Sequence, residues 1–129
     1  MKYLIITLSV LLGGMAVAGD LYVIANSSLS ATDADVKDIF TGDKGTIGGT
    51  KVVPADNKAA MADFLSKVMQ MDEGKYTTLW SKKNFRDGVP LPKQMSTDAA
   101  TIDFVKSTPG GVGYVQSAPS ADVKTLLKK

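Results

Sequence analysis

The sequence predicts an α/β domain, and three observations carry that prediction. Short apolar runs rich in β-branched residues recur at Leu21-Tyr22-Val23-Ile24-Ala25, Lys51-Val52-Val53-Pro54 and Val112-Gly113-Tyr114-Val115. Between them lie apolar residues at helical spacing: Val36, Ile39 and Phe40, then Met61, Phe64, Leu65 and Val68. Runs of the first kind make buried strands and stripes of the second kind make core-facing helices, so their alternation points to α/β layering. Finally, 129 residues with 44% hydrophobic and 22% charged side chains amount to one foldable domain.

The chain opens on an address. Residues 1–18 carry Lys2, an apolar run from Tyr3 to Leu12 and the small residues Ala16-Val17-Ala18, the pattern of a secretory signal peptide. The run is short for a bilayer span, no basic stop-transfer cluster follows, and no cysteine is present to take a lipid; the alternative is an uncleaved anchor. Cleavage after Ala18 or Gly19 is expected to leave an exported domain over 19–129 without a stable membrane anchor.

The remaining elements follow in order. After the first strand, Asn26-Ser27-Ser28 is a break, and Ser30 with Asp33 has the spacing of a capping box for a helix starting near Ala31 and stopping at Gly42. Gly42 to Thr50 reads as a loop, and Pro54 ends the second strand. Asp56 or Asn57 caps the Met61–Val68 helix, which Gly74 ends; Tyr76, Leu79 and Trp80 begin another. Arg86-Asp87-Gly88 is a turn, and Pro90 and Pro92 hold the next segment extended. Ser96 or Thr97 caps a helix bearing Ile102 and Val105, Val112–Val115 is the last strand, and Ser120 caps a short helix through Leu127.

The chemistry available is narrow. Without cysteine or histidine there is no disulfide, no thiolate zinc site and no imidazole base. The glycine-rich stretch lacks the phosphate-loop lysine motif, no S-x-x-K occurs, and no carboxylate spacing singles out an acid/base pair. The residues therefore point to a non-enzymatic protein with no metal and no cofactor. A formal charge of +2 gives no reason to expect nucleic acid. Charge is nonetheless segregated: Lys75, Lys82, Lys83 and Arg86 form a candidate partner-facing basic patch, against five aspartates in residues 20–46.

The order of motifs carries a resemblance. Asp38-Ile39-Phe40-Thr41-Gly42, the Val-Val-Pro strand, Trp80 with Phe85 and Gly88, and Pro109-Gly110-Gly111-Val112-Gly113-Tyr114-Val115 resemble the phosphate ABC-transporter substrate-binding family, in its short single-unit members. The likeness runs from about Leu21 to Val115. It implies a single lobe of a type 2 periplasmic-binding-protein-like fold, a short mixed sheet flanked by helices, located in the periplasm. It further implies capture of phosphate or a similar small oxyanion, in association with an ABC permease.

On this resemblance the ligand-binding candidates are Asn26, Ser27 and Ser28 after the first strand and Asp56, Asn57 and Lys58 after the second, with Asp56 accepting a bond from a protonated phosphate and Lys58 supplying charge. The first turn has an alternative, a plain break before a helix. Full-length relatives carry an arginine and a Ser-Gly-Thr turn where this chain has Ala55 to Ala60, and they close two lobes on the ligand. A chain of one lobe is therefore expected to bind weakly alone, or to self-associate. The other functional expectation is an interaction or scaffold module that keeps the lobe and docks on an envelope protein.

Overall fold

The computed structural model describes residues 19–129; the expected signal peptide, 1–18, lies outside the described residues. In chain order the elements are β1 (Tyr22–Ala25), α1 (Val36–Phe40), the hairpin strands β2 (Thr46–Ile47) and β3 (Thr50–Lys51), and β4 (Val53–Asn57). Then come α2 (Met61–Phe64), running into a π-helical turn at Leu65–Met69, α3 (Glu73–Asp87), β5 (Lys93–Met95), α4 (Asp98–Ser107), β6 (Gly111–Val115) and β7 (Lys124–Lys128). Five strands make one sheet in the order β5–β4–β6–β1–β7. β4 lies parallel to β5 and β6, whereas β1 is antiparallel to β6 and β7, so the sheet is mixed and the chain is α/β, as expected.

Side-chain alternation divides the core. Val23, Ala25, Val112 and Tyr114 face a cluster with Val36, Phe40, Phe64, Leu65 and Trp80 from α1, α2 and α3. Ile24 and Val115 face the other way, onto Val105 of α4. Phe64 stacks on Tyr114 with ring centroids 3.9 Å apart and planes at 2°, and Phe40 meets both rings edge-on. On the α4 face β6 presents Gly111 and Gly113. A Cβ on Gly113 would sit 2.7 Å from Thr101 Cγ2, and one on Gly111 would sit 2.9 Å from the Thr108 carbonyl. The helix therefore rests on bare strand backbone. Gly110, at φ +78°, has the Lys51 carbonyl where its Cβ would be.

Several boundaries differ from expectation. The helix cap is two residues later: the Thr32 N–H donates to the Asp35 carboxylate at 2.9 Å, and Ser30 plays no such part. Gly42 to Thr50 is not only loop, because Gly48 and Gly49, at φ +57° and +82°, form the two-residue turn of the β2–β3 hairpin. Pro54 lies inside β4. Val53 N donates to Gly110 on the β6 side, so the proline nitrogen faces the other edge, where β5 pairs only from Ala55 onward.

Asp56 and Asn57 are consequently strand residues, and Ala60 occupies the cap of α2. Gln70, left-handed at φ 55°, ends that helix, and Gly74 belongs to the first turn of α3, which Asp72 caps by accepting from Lys75 N at 2.7 Å. Thr97 caps α4, as expected, by accepting from Ala100 N at 3.1 Å. The largest correction is at the end: Ser120 to Leu127 is not a helix, Val112–Val115 is not the last strand, and β7 covers the free edge of β1. Leu21 and Lys129 exchange both backbone hydrogen bonds there, at 2.8 and 2.9 Å. An eight-residue helix is marginal alone, whereas an open β1 edge would leave a row of backbone groups unpaired.

Candidate functional site

Asp56 sits one residue from the end of β4, in register with Gln94 on β5 and level with Tyr114 on β6. Neighbouring strands put level residues on one face, so these three side chains converge, and α3 lowers Tyr76 onto them. Asp56 Oδ1 accepts the Tyr76 hydroxyl at 2.8 Å and the Tyr114 hydroxyl at 2.9 Å, while Oδ2 accepts the Gln94 amide at 3.2 Å. Asp56 is 3% exposed. Burial pushes its pKa up, against the three hydrogen bonds that favour the ionised form. Both tyrosines are pushed well above the usual phenol range, first by burial and then by the facing carboxylate, so they remain donors.

A cavity of about 460 Å³ opens between α3 and the β4–β5 side of the sheet. Asp56, Lys58, Glu73, Tyr76, Ser81 and Gln94 supply most of its polar lining, and Met61, Leu91 and Pro92 contribute apolar wall. Each carboxylate oxygen has two lone pairs, and Oδ2 takes one protein donor, so Asp56 retains capacity to accept from a guest. Lys58 is the single cation of the lining. Among the described residues no cluster of metal-ligating side chains occurs, and no helix is long and apolar enough to cross a membrane.

Asn57 turns away from this cavity and is fully buried. Its amide donates to Asp98 Oδ1 at 2.7 Å and to the Tyr114 carbonyl at 3.0 Å, and its oxygen accepts from Ala59 N at 3.1 Å. Asp98 Oδ2 in turn accepts the N–H groups of Gln116 and Ser117, at 3.1 and 3.0 Å, and the Ser117 hydroxyl at 2.6 Å. Asn57 is thus a structural clasp joining β4, α4 and the segment after β6.

The first expected ligand turn is committed to the fold in the same way. Asn26 donates to the carbonyls of Val105 and Lys106, at 2.8 and 3.1 Å, closing the C-terminal end of α4, and accepts from Ser28 N at 2.9 Å. The Ser28 hydroxyl accepts from Gly110 N at 3.1 Å, and Ser27 is exposed. Because β1 is antiparallel to β6, Asn26 follows the strand end level with Gly111, whereas Asp56 is level with Tyr114. That offset is three residues, about 10 Å along the strands. The two halves of the expected site therefore stand at opposite ends of the sheet, and only Asp56 and Lys58 share a cavity.

No family model matches the chain, and no curated protein matches it.

The basic patch does assemble. Lys75, Lys82, Lys83 and Arg86 line one open groove of about 790 Å³ along α3, but Asp72 and Asp87 line it too, and Lys83 is paired to Asp43 at 2.7 Å. Beside it Phe85 is 89% exposed, between Lys82 and Arg86. In the sequence Tyr76 only began a helix and Tyr114 only belonged to a strand, and neither they nor Gln94 and Asp98 stood among the site candidates. One signal was present: a tyrosine in a strand otherwise buried along its length needs an acceptor for its hydroxyl.

Proposed function

We propose that the chain is an exported, non-enzymatic solute-binding lobe, related to type 2 periplasmic-binding proteins, that takes a phosphate-type oxyanion weakly in the cavity beside Asp56. The observation that carries this reading is a buried carboxylate with spare acceptor capacity in a cavity near the end of parallel strand β4, with Lys58 on its wall. Such a carboxylate repels a fully ionised anion and accepts a bond from one that keeps a proton. Lys58 offsets part of the guest's charge. Asn26, Ser27, Ser28 and Asn57 take no part, because their polar groups serve the fold or lie elsewhere.

One open lobe leaves the guest facing water. The expected dissociation constant for phosphate is on the order of 0.1 mM or weaker, about −5.5 kcal/mol or less favourable. Calorimetry on the purified protein, with Lys58→Ala as control, tests this: micromolar affinity by a monomer removes the single-lobe argument, and absence of heat at millimolar phosphate removes the oxyanion reading.

A second reading, an interaction module of the cell envelope, is favoured by one observation: Phe85 stands almost wholly in solvent between Lys82 and Arg86 on α3. Exposed aromatic and arginine side chains are common anchors of protein interfaces. Glutamate at positions 82, 83 and 86 tests it. Loss of a bound envelope partner, an ABC permease included, with phosphate binding intact would favour this reading.

A further inference from the structure

A second cavity, of about 340 Å³, lies on the other side of Trp80 and Leu91 from the Asp56 cavity. Its walls are Ile39, Val52, Trp80, Val89, Pro90 and Leu91, drawn from α1, the strand approach to β4, α3 and the proline segment. Its charged lining is one-sided: Lys44, Lys51 and Lys93 contribute, and no carboxylate does. Lys44 is held by Asp35 at 2.6 Å. Among the described residues Lys51 and Lys93 have no carboxylate within ion-pair distance. An apolar chamber of this size, at the small end of the range of about 300–1,000 Å³ for ligand cavities, is shaped for an apolar body with an anionic head.

We propose that this cavity binds a small amphiphilic carboxylate, its aliphatic or aryl body against Trp80, Val52 and Leu91 and its head between Lys51 and Lys93. Charge complementarity selects the occupant. A cationic amphiphile would meet two unneutralised ammonium groups, and a neutral one would leave them without a partner. Trp80 is the only tryptophan and lines both this cavity and the Asp56 cavity, so its emission reports occupancy and variants at either cavity tell the two apart. The Trp80 indole N–H is already spent on the Phe40 carbonyl at 3.0 Å, so the ring offers the guest apolar surface alone.

The test titrates octanoate, octanol and octyltrimethylammonium into the purified protein below their aggregation concentrations, following Trp80 emission. Octanoate is expected to saturate and to bind about tenfold more tightly than octanol, a difference of about 1.4 kcal/mol, with the cation weakest. Lys51→Glu with Lys93→Glu, both exposed and outside the core, should weaken octanoate about tenfold and leave octanol unchanged. Asp56→Asn should leave all three unchanged, which separates this site from the phosphate cavity. Equal affinity for the three probes, no saturable change, an unaffected double variant, or loss of octanoate binding in Asp56→Asn would each overturn the proposal. Binding only to phosphatidylglycerol vesicles, with none to free octanoate, would overturn it as well.

Discussion

Asp56 and Asp98 stand on either side of Asn57 in the hydrogen-bond network, yet the fold treats their charges in opposite ways. Asp98 is half-buried at the first residue of α4 and takes donors from Ser117, Asn57 and two backbone N–H groups; burial works to raise its pKa, and these bonds together carry it below the usual value. Asp56 is buried outright and takes two tyrosine hydroxyls and one amide, and burial wins. The donor counts are similar, so the difference lies in solvent access and in the α4 N-terminus, which favours a negative charge on Asp98. A carboxylate used only to tie elements together is stabilised in its ionised form. Asp56 is not, and a guest able to lend it a proton is what the proposed oxyanion reading requires.

The sharpest way to break the comparison is to delete the carboxylates. Asp56→Ala strands the Tyr76 and Tyr114 hydroxyls in the core, at about 1–3 kcal/mol each, so a loss of about 2–6 kcal/mol is expected from denaturant unfolding. Asp56→Asn keeps an acceptor and removes the buried charge, and should lose far less near neutral pH. Next in size is Gly113→Ala, whose methyl meets Thr101 and Val105 and must lift α4; about 1–3 kcal/mol is expected. If α4 is lifted, Asp98 leaves its donors, and a double variant with Asp98→Ala should cost less than the two single losses combined.

Asp98→Ala alone is expected to cost about 1–2 kcal/mol at neutral pH, and its pH dependence runs opposite to that of Asp56. The folded pKa of Asp98 is lowered, so its contribution is present above the unfolded value of about 3.9 and is lost as pH falls through the folded value. The folded pKa of Asp56 is raised, so the native state binds its proton more readily than the unfolded chain, and stability rises as pH falls from neutral through that value. Midpoints measured from about pH 3 to pH 7 should therefore lose their acid-side fall in Asp98→Ala and their rise below neutral pH in Asp56→Asn. Identical profiles in both variants would dissolve the contrast.

Local pattern announced much of this architecture and little of the site. Short apolar runs rich in β-branched residues marked β1 and, at Val112–Val115, β6, whose glycines admit α4, and the 3.6-residue stripes marked α1 and α3. What failed was decided by tertiary pairing. β7 exists because β1 needs an edge partner, and β4 runs through Pro54 because β5 arrives one residue later. The partners of Asp56 come from Tyr76, Gln94 and Tyr114, on three different elements, and no spacing in the chain relates them. Asn26 was misjudged for a similar reason: its role depends on α4 ending beside it, 79 residues on.

The smallest expected effect isolates what a cation adds. Asp43 lies at the surface, where Lys83 first and the Thr41 hydroxyl second hold its pKa below the usual value. Lys83→Met keeps the side-chain stem beside Gly42 and removes the charge. An exposed pair of this kind contributes little, and a loss of about 0.5 kcal/mol or less is expected, vanishing near 1 M salt. The larger Asp98→Ala effect should survive the same salt, since its donors are neutral dipoles and not mobile charges. If instead Lys83→Met proved the costlier of the two, full charges on the surface, rather than the clasp on Asp98, would be what holds this domain together, and the opposed roles of Asp56 and Asp98 would be secondary to them.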